Sequence, residues 1–351
     1  MKSIIDNPVI MEDMMFIYEH VPSNKVDNSS ILVTGASGMI ASYFVSFLIY
    51  LVEERHYKIR IDLGVRNIKK AKELFGANGT YINYVEYDAN KNNSFCREYD
   101  YILHAASLAS PQYYGLKPVE TMLPNLLGLN ELLIKSKNDG ARLLFLSTGS
   151  VYGNVDEVNV ITEDMYGMLD YLSPGNVYGE SKRCGEALCM SYNREYNIPV
   201  VVARIHHSYG PTMDYKNDCR VFSEFVKNVI NNENIELKSD GLSKRPFCYM
   251  SDLIIQLFTI LVSGDSGGVY NVGNPYEVVT IRELAECIGN LAEPKLDIII
   301  RERNDESYCP EKIIHDTQFS IEKVEKLCNY KPTISIESGF KRTIKAIQLS
   351  D

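Results

Sequence analysis

Tryptophan is absent from this 351-residue sequence, and none of its eight cysteines forms a C-x-x-C pair. Scattered cysteines of this kind predict buried free thiols in a reducing compartment and argue against a disulfide framework. Basic blocks are missing as well: the net charge is −10, and like charges form no long runs. We therefore expect no nucleic-acid partner and no binding to a membrane surface.

Long hydrophobic runs are also missing. The longest apolar stretch, residues 39–52, is interrupted by Ser and Tyr and is too short to cross a bilayer. Early acidic residues such as Asp6 and Glu12 are unlike a signal peptide. These absences predict a cytoplasmic protein without a membrane partner. The 45% hydrophobic content is enough for the core of one large α/β domain with an appendage.

Short apolar segments alternate with longer helical segments between residues 31 and 205. This alternation predicts an α/β fold, a Rossmann-type doubly wound parallel sheet with a smaller C-terminal α/β portion that binds substrate. Predicted strands occupy 31–34, 59–65, 81–87, 101–105, 142–147 and 199–205, and predicted helices 38–54, 67–75, 119–138 and 177–196. The expected divisions are a helical extension (1–28), a dinucleotide-binding domain (29–210) and the substrate portion (211–351), from which some elements can return to the sheet.

A glycine turn joins the first predicted strand to the first long helix. Gly35 breaks the strand, and Gly38 follows three residues later, just before the helix. Such glycines let backbone N–H groups and a helix N-terminus approach a pyrophosphate, so the pattern favours a dinucleotide site. The spacing departs from G-x-G-x-x-G, and a purely structural turn is an equal alternative for this motif alone.

Two residues at the ends of the next strands bear on the adenosine half of such a cofactor. Arg66 follows the second strand, where an acid would favour NAD and an Arg favours the 2′-phosphate of NADP. It can also be a surface residue or stack on adenine. Asp88, after the third strand, can bond the adenine amino group or act as a turn residue.

Small residues end the fourth predicted strand. Ala105, Ala106 and Ser107 leave room for a cofactor to lie against the backbone. Asn125 falls on the following helix and can tie adjacent strand ends together, a structural role as plausible as a functional one.

A Tyr-x-x-x-Lys motif follows the fifth predicted strand. Tyr178 and Lys182 have the i, i+4 spacing that places them on one face of a helix. A nearby ammonium lowers the pKa of a phenol, so Tyr178 can serve as a base. Lys182 can also bond the nicotinamide ribose, and Thr148, at the end of the fifth strand, can hold a substrate hydroxyl.

Together these motifs resemble the extended short-chain dehydrogenase/reductase family, in its nucleotide-sugar epimerase/dehydratase branch. The resemblance runs from about residue 31 to residue 340 and is strongest to UDP-glucuronate decarboxylases and dTDP-glucose 4,6-dehydratases. The matching stretches are 34–40 (TGASGMI), 104–107 (HAAS), 146–148 (LST), 178–182 (YGESK), 203–205 (ARI), 209–211 (YGP), 245–252 (RPFCYMSD) and 270–273 (YNVG).

The resemblance implies an NAD(P)-dependent enzyme that acts on a nucleoside-diphosphate sugar, as a homodimer built on the helices around 119–138 and 177–196. It implies Tyr178 as catalytic base, Lys182 as its helper and Thr148 as the partner of the substrate hydroxyl. The expected cofactor-binding residues are Gly35, Ser37, Gly38, Met39, Ile40, Arg66, Asp88, Ala105, Ala106, Ser107, Asn125, Ser147, Tyr178, Lys182 and Arg204. The expected substrate-binding residues are Ser110, Thr148, Ser150, His207 and Arg245, the last beside the diphosphate.

The residues after Thr148 depart from the pattern of these relatives. The 4,6-dehydratases carry an Asp-Glu pair directly after the Thr and the decarboxylases a Glu two residues after it, whereas this chain has Gly and Ser. Without those carboxylates we expect an epimerase that oxidises and reduces carbon 4. A dehydratase, a decarboxylase or a 4-keto-sugar reductase is the alternative, and a non-catalytic cofactor-binding sensor a more distant one. Another acid, Glu180, Asp170 or Glu163, can still reach the site.

The histidine pair His206 and His207 is a second departure. His207 stands where many relatives have Asn, so the substrate contacts can differ. Neither histidine has a further ligand-type residue at metal-site spacing, and we expect no metal.

Overall fold

A parallel sheet of seven strands forms the centre of the structure, a computed structural model that describes residues 4–76, 79–155, 160–301 and 318–350. Its strands are β1 (Ser30–Thr34), β2 (Arg60–Val65), β3 (Ile82–Glu86), β4 (Tyr101–His104), β5 (Arg142–Thr148), β6 (Val200–Ile205) and β7 (Val269–Val272). They lie in the order β7-β6-β5-β4-β1-β2-β3, and each neighbouring pair is parallel. The order reverses between β4 and β1, where open α/β sheets have their ligand crevice.

Helices cover both faces of the sheet and build the C-terminal part. They are α1 (Pro8–His20), α2 (Met39–Glu53), α3 (Ile68–Phe75), α4 (Pro111–Leu116), α5 (Pro118–Leu123), α6 (Leu129–Asp139), α7 (Val177–Tyr196), α8 (Val221–Asn231), α9 (Met250–Ser263), α10 (Ile281–Gly289), α11 (Glu322–Cys328) and α12 (Ile336–Gln348).

The strands are apolar because both sheet faces are covered. In β1, Ile31 and Val33 pack in the core cluster that contains α2 and α9, whereas Leu32 packs in the cluster with α6 and α7. Every residue of β1 is buried. Continuous apolar strands of this kind are typical of parallel sheets. The predicted Rossmann-type sheet is confirmed.

The seventh strand was not predicted. β7 has four residues, it contains the polar Asn271, and Gly268 and Gly273 flank it. The register that makes it a sheet strand, Val269 beside Val202, depends on tertiary pairing with β6. Together with α9, which packs in the same core cluster as α2, it brings part of the chain beyond residue 211 back to the sheet. The division of the chain at residue 211 stays a prediction.

The predicted helix 119–138 is present, with a local change of its hydrogen-bonding pattern. α5 and α6 are separated by a π-helical turn, Pro124–Gly128. Pro124 has no N–H to donate inside a helix, and its ring displaces the preceding turn, which explains the widened segment.

A third core cluster lies in the C-terminal part, between α8, α10 and α12. Short two-stranded pairs accompany it, such as Lys244–Pro246 against Val278–Thr280 and Ile298–Ile300 beside Ile235–Leu237. Ser208–Tyr209 pairs with Cys248–Tyr249 in the same way.

The described cysteines are free thiols, but they are not all buried as expected. Cys96, Cys184 and Cys219 are exposed, whereas Cys189 and Cys248 are buried. The eighth, at position 309, lies outside the described residues. A reducing, cytoplasmic location stays a prediction. Over the described part of the chain, every helix is too short or too polar to span a membrane.

A buried carboxylate fastens α1 to the rest of the molecule. Asp13 is 2% exposed and accepts hydrogen bonds from the hydroxyl of Tyr43 on α2 and, at 2.6 Å, from that of Tyr249. Its other oxygen accepts from Nη2 of Arg342 on α12, at 2.6 Å. Four segments that are distant in sequence thus meet at one carboxylate.

We expect Asp13→Asn to destabilise the fold by roughly 3 kcal/mol or more, because it leaves Arg342 without its buried anion. Chemical denaturation measures the change. Glu12→Gln is the matched control: Glu12 also pairs with Arg342, at 3.1 Å, but its side chain is 62% exposed. Such surface pairs contribute about 0–1 kcal/mol. Equal losses in the two variants would contradict the assignment.

Candidate active site

A cavity of about 710 Å³ lies at the carboxyl ends of the central strands. Because all seven strands run in the same direction, the segments that follow β1, β4, β5 and β6 meet at this edge. The described lining comes mainly from the segments 38–41, 105–114, 146–155 and 205–208, with Tyr178, Lys182, Arg220 and Phe319.

The glycine turn lies at one end of this cavity. Gly35 has φ +67°, and a Cβ on it would meet the backbone of Ala105 and Ala106 at 2.8 Å, so only glycine fits. Gly38 lines the cavity and begins α2, and no side chain caps that helix. Its first N–H groups are left for a ligand, as in pyrophosphate sites. Ser37 lies within this turn, and Met39 and Ile40 line the cavity.

Ser107 is a second indication that a ligand belongs here. It lines the cavity, yet its Oγ is buried and makes no hydrogen bond with a described residue. A buried hydroxyl without a partner costs free energy. The uncapped helix, the glycine turn and this hydroxyl therefore fit a dinucleotide cofactor.

The two predicted adenosine contacts lie at neighbouring strand ends. Arg66 follows β2 and is exposed, and Asp88 lies just after β3. Burial alone would raise the pKa of Asp88, but the N–H of Asn90 and the charges of Lys91 and Arg66 lower it below its ordinary value. Arg66 and Asp88 are thus close to each other, outside the described cavity lining. Their roles toward a cofactor stay predictions.

The three residues predicted to be catalytic all line the cavity. Thr148 ends β5, and its Oγ1 accepts a hydrogen bond from the N–H of Ser150 at 3.2 Å. Tyr178 and Lys182 lie one turn apart near the start of α7. Nζ of Lys182 donates to the carbonyl of Leu146 at 2.6 Å, which holds the ammonium at the end of β5.

The predicted lowering of the Tyr178 pKa by Lys182 is not what the structure shows. Burial raises the pKa of Tyr178 to about 12, and Thr148 and Arg220 are the groups that lower it in part. Burial lowers the pKa of Lys182 to about 7, against the charge of Glu186. Its ammonium bonds the Leu146 carbonyl and lies 5.8 Å from the centre of the Tyr178 ring. The fraction of Tyr178 that is phenolate, the form that accepts a proton, therefore increases with pH through the neutral range.

Tyr114 is a cavity residue that the sequence motifs did not single out. It lies on α4, and its ring stacks on that of Tyr178 with centroids 4.8 Å apart and an interplanar angle of 6°. Parallel stacking restricts the orientation of both rings. No local pattern in the sequence signals this contact, because it joins residues 64 positions apart through the loop before α7.

Arg204 does not lie in the described cavity lining, and its contacts are structural, so its predicted cofactor contact stays a prediction. Its guanidinium donates to both carboxylate oxygens of Glu186, at 2.8 Å for the shorter bond, and to the carbonyl of Glu163. Ser147 lines the cavity, and its hydroxyl also donates to Glu186. These bonds join the carboxyl ends of β5 and β6 to α7.

The contacts of Asn125 are those expected of a structural role. Its side chain is fully buried and donates to the carbonyl of Thr121 at 3.1 Å and to Oγ of Ser181 at 2.9 Å. It therefore joins the π-helical turn to α7, whereas the sequence suggested a link between strand ends.

Among the predicted substrate residues, Ser110, Ser150 and His207 line the cavity and Arg245 does not. Loss of water and the positive charges of Arg245 and Arg220 lower the pKa of His207 below its ordinary value, although the residue is partly open to solvent. Arg220 lines the cavity and was missed by the sequence analysis. Its Nε donates to Asp218 at 2.8 Å.

The described residues that line the cavity include no Asp or Glu. The three acids that the sequence left as alternatives make contacts elsewhere: Glu163 accepts the N–H of Asn271 at 2.9 Å, Glu180 lies 3.5 Å from Arg183, and Asp170 accepts the N–H of Leu172 at 3.0 Å. The polar side chains of the described lining are thus hydroxyls, imidazoles, cations and the amide of Asn154, among apolar residues such as Met39 and Ile40.

His206 is a further cavity residue whose part the sequence analysis missed, since it was considered only as a metal ligand. Its ring stacks on Phe319, with centroids 3.5 Å apart. Both rings line the cavity beside Thr148 and Gly149. Across the described residues, no cluster of three or more potential metal ligands occurs.

Known proteins resemble this chain in sequence and in fold. The family model described as the NAD dependent epimerase/dehydratase family matches residues 31–273. The UDP-glucuronic acid decarboxylase 6 of Arabidopsis thaliana is 32% identical over 312 residues, which cover 89% of this chain and 87% of that protein.

Two solved structures are similar at lower identity. The UDP-N-acetylglucosamine 4-epimerase of Methanobrevibacter ruminantium M1 has a TM-score of 0.78 at 22% identity and covers 93% of this chain and 100% of its own. The UDP-glucose 4-epimerase of Thermotoga maritima has a TM-score of 0.75 at 22% identity, with 92% and 99% covered. At these identities the likeness shows the fold alone.

If the stack orients Tyr178, Tyr114→Phe keeps the ring and leaves turnover nearly unchanged, whereas Tyr114→Ala lowers it by about 2–10-fold, the worth of one aromatic pair. Because burial raises the pKa of Tyr178, Tyr114→Ala also moves the pH profile of turnover to lower pH. Tyr113→Ala, on the same helix and in the same cavity, is the control. An unchanged rate and pH profile in Tyr114→Ala would refute this role.

Proposed function

Because this chain belongs to the NAD dependent epimerase/dehydratase family, we propose that it is an NAD(P)-dependent nucleotide-sugar epimerase that acts by transient oxidation at carbon 4 of the sugar. One observation carries the choice of reaction: the described cavity wall beside Thr148 holds Gly149 and Ser150 and no carboxylate. Elimination of water needs a base for the C5 proton and an acid for the leaving hydroxyl, and neither glycine nor serine titrates near neutral pH.

In this proposal, three residues of the cavity have different roles. Thr148 holds the C4 hydroxyl, and the phenolate form of Tyr178 accepts its proton as the C4–H bond breaks. A nicotinamide bound here supplies the acceptor and then the donor of the hydride. Lys182 binds the ribose of that cofactor, and Tyr178 returns the proton when the C4–H bond forms on the opposite face. Mass and net redox state are therefore unchanged.

Cationic and neutral donors of the cavity support a nucleoside-diphosphate sugar as substrate. Arg220 lines the cavity, and the charge of Arg245 reaches His207 closely enough to lower its pKa. Guanidinium groups suit diphosphate oxygens because they offer several donors in a fixed plane. The names of the related proteins, all of them UDP-sugar enzymes, agree with this substrate class.

A homodimer built on α5–α7 remains part of the proposal. Exposed apolar side chains lie on this side of the molecule: Val119 is 60% exposed, Leu127 57% and Ile134 45%. Clustered exposed apolar residues favour a protein interface.

Decarboxylation is the second candidate, because the sequence similarity to a UDP-glucuronic acid decarboxylase extends over 89% of the chain. A decarboxylase would carry out the oxidation at carbon 4 in the same cavity and with the same three residues, Thr148, Tyr178 and Lys182. The two candidates differ in the product, which loses carbon dioxide only in the second.

We expect a panel of nucleotide sugars, analysed by mass spectrometry and NMR, to yield a product of unchanged mass and inverted configuration at carbon 4, with no net NAD(P)H. Tyr178→Phe should lower the rate by about 10²–10⁴-fold, the usual contribution of a general base, with cofactor affinity preserved. Thr148→Ser, which keeps the hydroxyl, is the mild control.

A product lighter by carbon dioxide or by water would replace the epimerase by the decarboxylase or the dehydratase. Stoichiometric consumption of NADPH with a keto-sugar would point to a reductase. Near-normal turnover of Tyr178→Phe would remove Tyr178 as the base.

For the cofactor, we propose NADP over NAD because of Arg66. Arg66→Ala should weaken NADP binding by about tenfold or more, the loss of a charge-assisted hydrogen bond to the 2′-phosphate, and leave NAD binding unchanged. Calorimetric titration measures both. Lys69→Ala removes the same charge from an exposed residue of α3 and should have little effect. Equal affinity of the unmodified protein for the two cofactors would contradict the preference.

A further inference from the structure

The imidazole of His206 is fixed in the cavity wall by packing. His206 follows β6 directly, and its backbone N–H donates to the carbonyl of Val272 at 3.0 Å. Its ring lies parallel to that of Phe319, with 3.5 Å between centroids. Phe319 is itself 3% exposed, so this face of the imidazole has no room to move.

Gly149 lies against the same ring. A Cβ on Gly149 would come within 2.7 Å of Cε1 and 2.8 Å of Nδ1 of His206, distances at which one of the two groups must shift. The backbone of Gly149 has no positive φ, so its conformation does not itself demand glycine. The imidazole therefore excludes a side chain at position 149.

The ring contributes its volume and shape to the wall, without a charge. Burial and the neighbouring His207 lower the pKa of His206 to about 3, although Asn271 raises it. Nε2 is buried and makes no hydrogen bond with a described residue. A flat apolar ring of similar size should thus replace it at small cost.

The position of this wall follows from the residues beside it. Gly149 comes directly after Thr148, and His206, Gly149 and Ser150 line the same cavity. In the proposed function, on which this inference rests, Thr148 holds the hydroxyl at carbon 4. In that arrangement the ring would lie beside the groups that the sugar carries on the carbons next to carbon 4.

We propose that His206 is a specificity-determining residue: it fills the space beside Gly149 and restricts the substrate to sugars without a bulky group on carbon 3 or carbon 5. The substrate class is then a nucleoside-diphosphate hexose with small substituents on both sides of carbon 4.

The first test is a double-mutant cycle between the two positions. Gly149→Ala should raise the Kd for the bound nucleotide sugar by about tenfold or lower the melting temperature measurably, as overpacking does, and should be tolerated in a His206→Ala background. Ser150→Ala, at the next residue, should have the same effect in both backgrounds. Equal tolerance of Gly149→Ala with and without His206 overturns the proposal. If Gly149→Ala folds only together with His206→Ala, the proposal is supported.

The second test measures selectivity by calorimetric binding. Two matched pairs of probes differ by one bulky group: UDP-N-acetylmuramic acid against UDP-N-acetylglucosamine at carbon 3, and 6-O-acetyl-UDP-glucose against UDP-glucose beyond carbon 5. His206→Ala should raise the relative affinity for the bulky member of at least one pair by about tenfold. His206→Phe should leave both ratios as in the unmodified protein. No change with His206→Ala, or the same change with His206→Phe, overturns the proposal.

These readouts separate the two proposals. If the unmodified protein binds the UDP-sugars without epimerising any of them, the proposed reaction fails and the binding ratios still decide the role of His206. If it binds no nucleotide sugar of the panel, both proposals fail.

Discussion

The shared direction of the seven strands is the constraint on which the site depends. Parallel strands end at one edge of the sheet, so β1 delivers the glycine turn, β5 Thr148 and β6 the histidine pair to the same place. The reversal of strand order between β4 and β1 separates the loops there and leaves the crevice open. Neither the cavity nor the contact between Gly149 and His206 would exist if β5 and β6 ran in opposite directions, because the ends of the two strands would then lie at opposite edges.

Burial at this edge then sets the proton chemistry. Tyr178 is 9% exposed and Lys182 3%, and for both groups the loss of water disfavours the charged form. Glu186 opposes this for Lys182, because its negative charge raises the pKa of the ammonium. Arg204 and Ser147 hold that carboxylate from outside and from the rim of the cavity. The buried ion pair of Arg204 and Glu186 therefore affects the site through Lys182, although Arg204 itself does not line the described cavity.

Local patterns predicted the parts of the molecule that local chemistry determines. Continuous apolar segments gave six strands, and the i, i+4 spacing placed Tyr178 and Lys182 on one face of α7. The same patterns missed β7, whose four residues become a strand only through pairing with β6. They also missed Tyr114 and His206, because each acts through a contact between segments distant in sequence. No spacing rule encodes such a contact; the packing of loops at the sheet edge does.

Similarity along the whole chain and the chemistry of the cavity answer different questions. The match to UDP-glucuronic acid decarboxylase 6 extends over 89% of the chain, far beyond the residues of the cavity. The reaction depends on a few groups beside Thr148. There a Cβ at position 149 would meet the ring of His206, so an acid at that position requires a shift of the ring or of the backbone. An acid at position 149 thus needs a coupled change at position 206, whereas the proposed oxidation at carbon 4 needs only side chains that the cavity already contains.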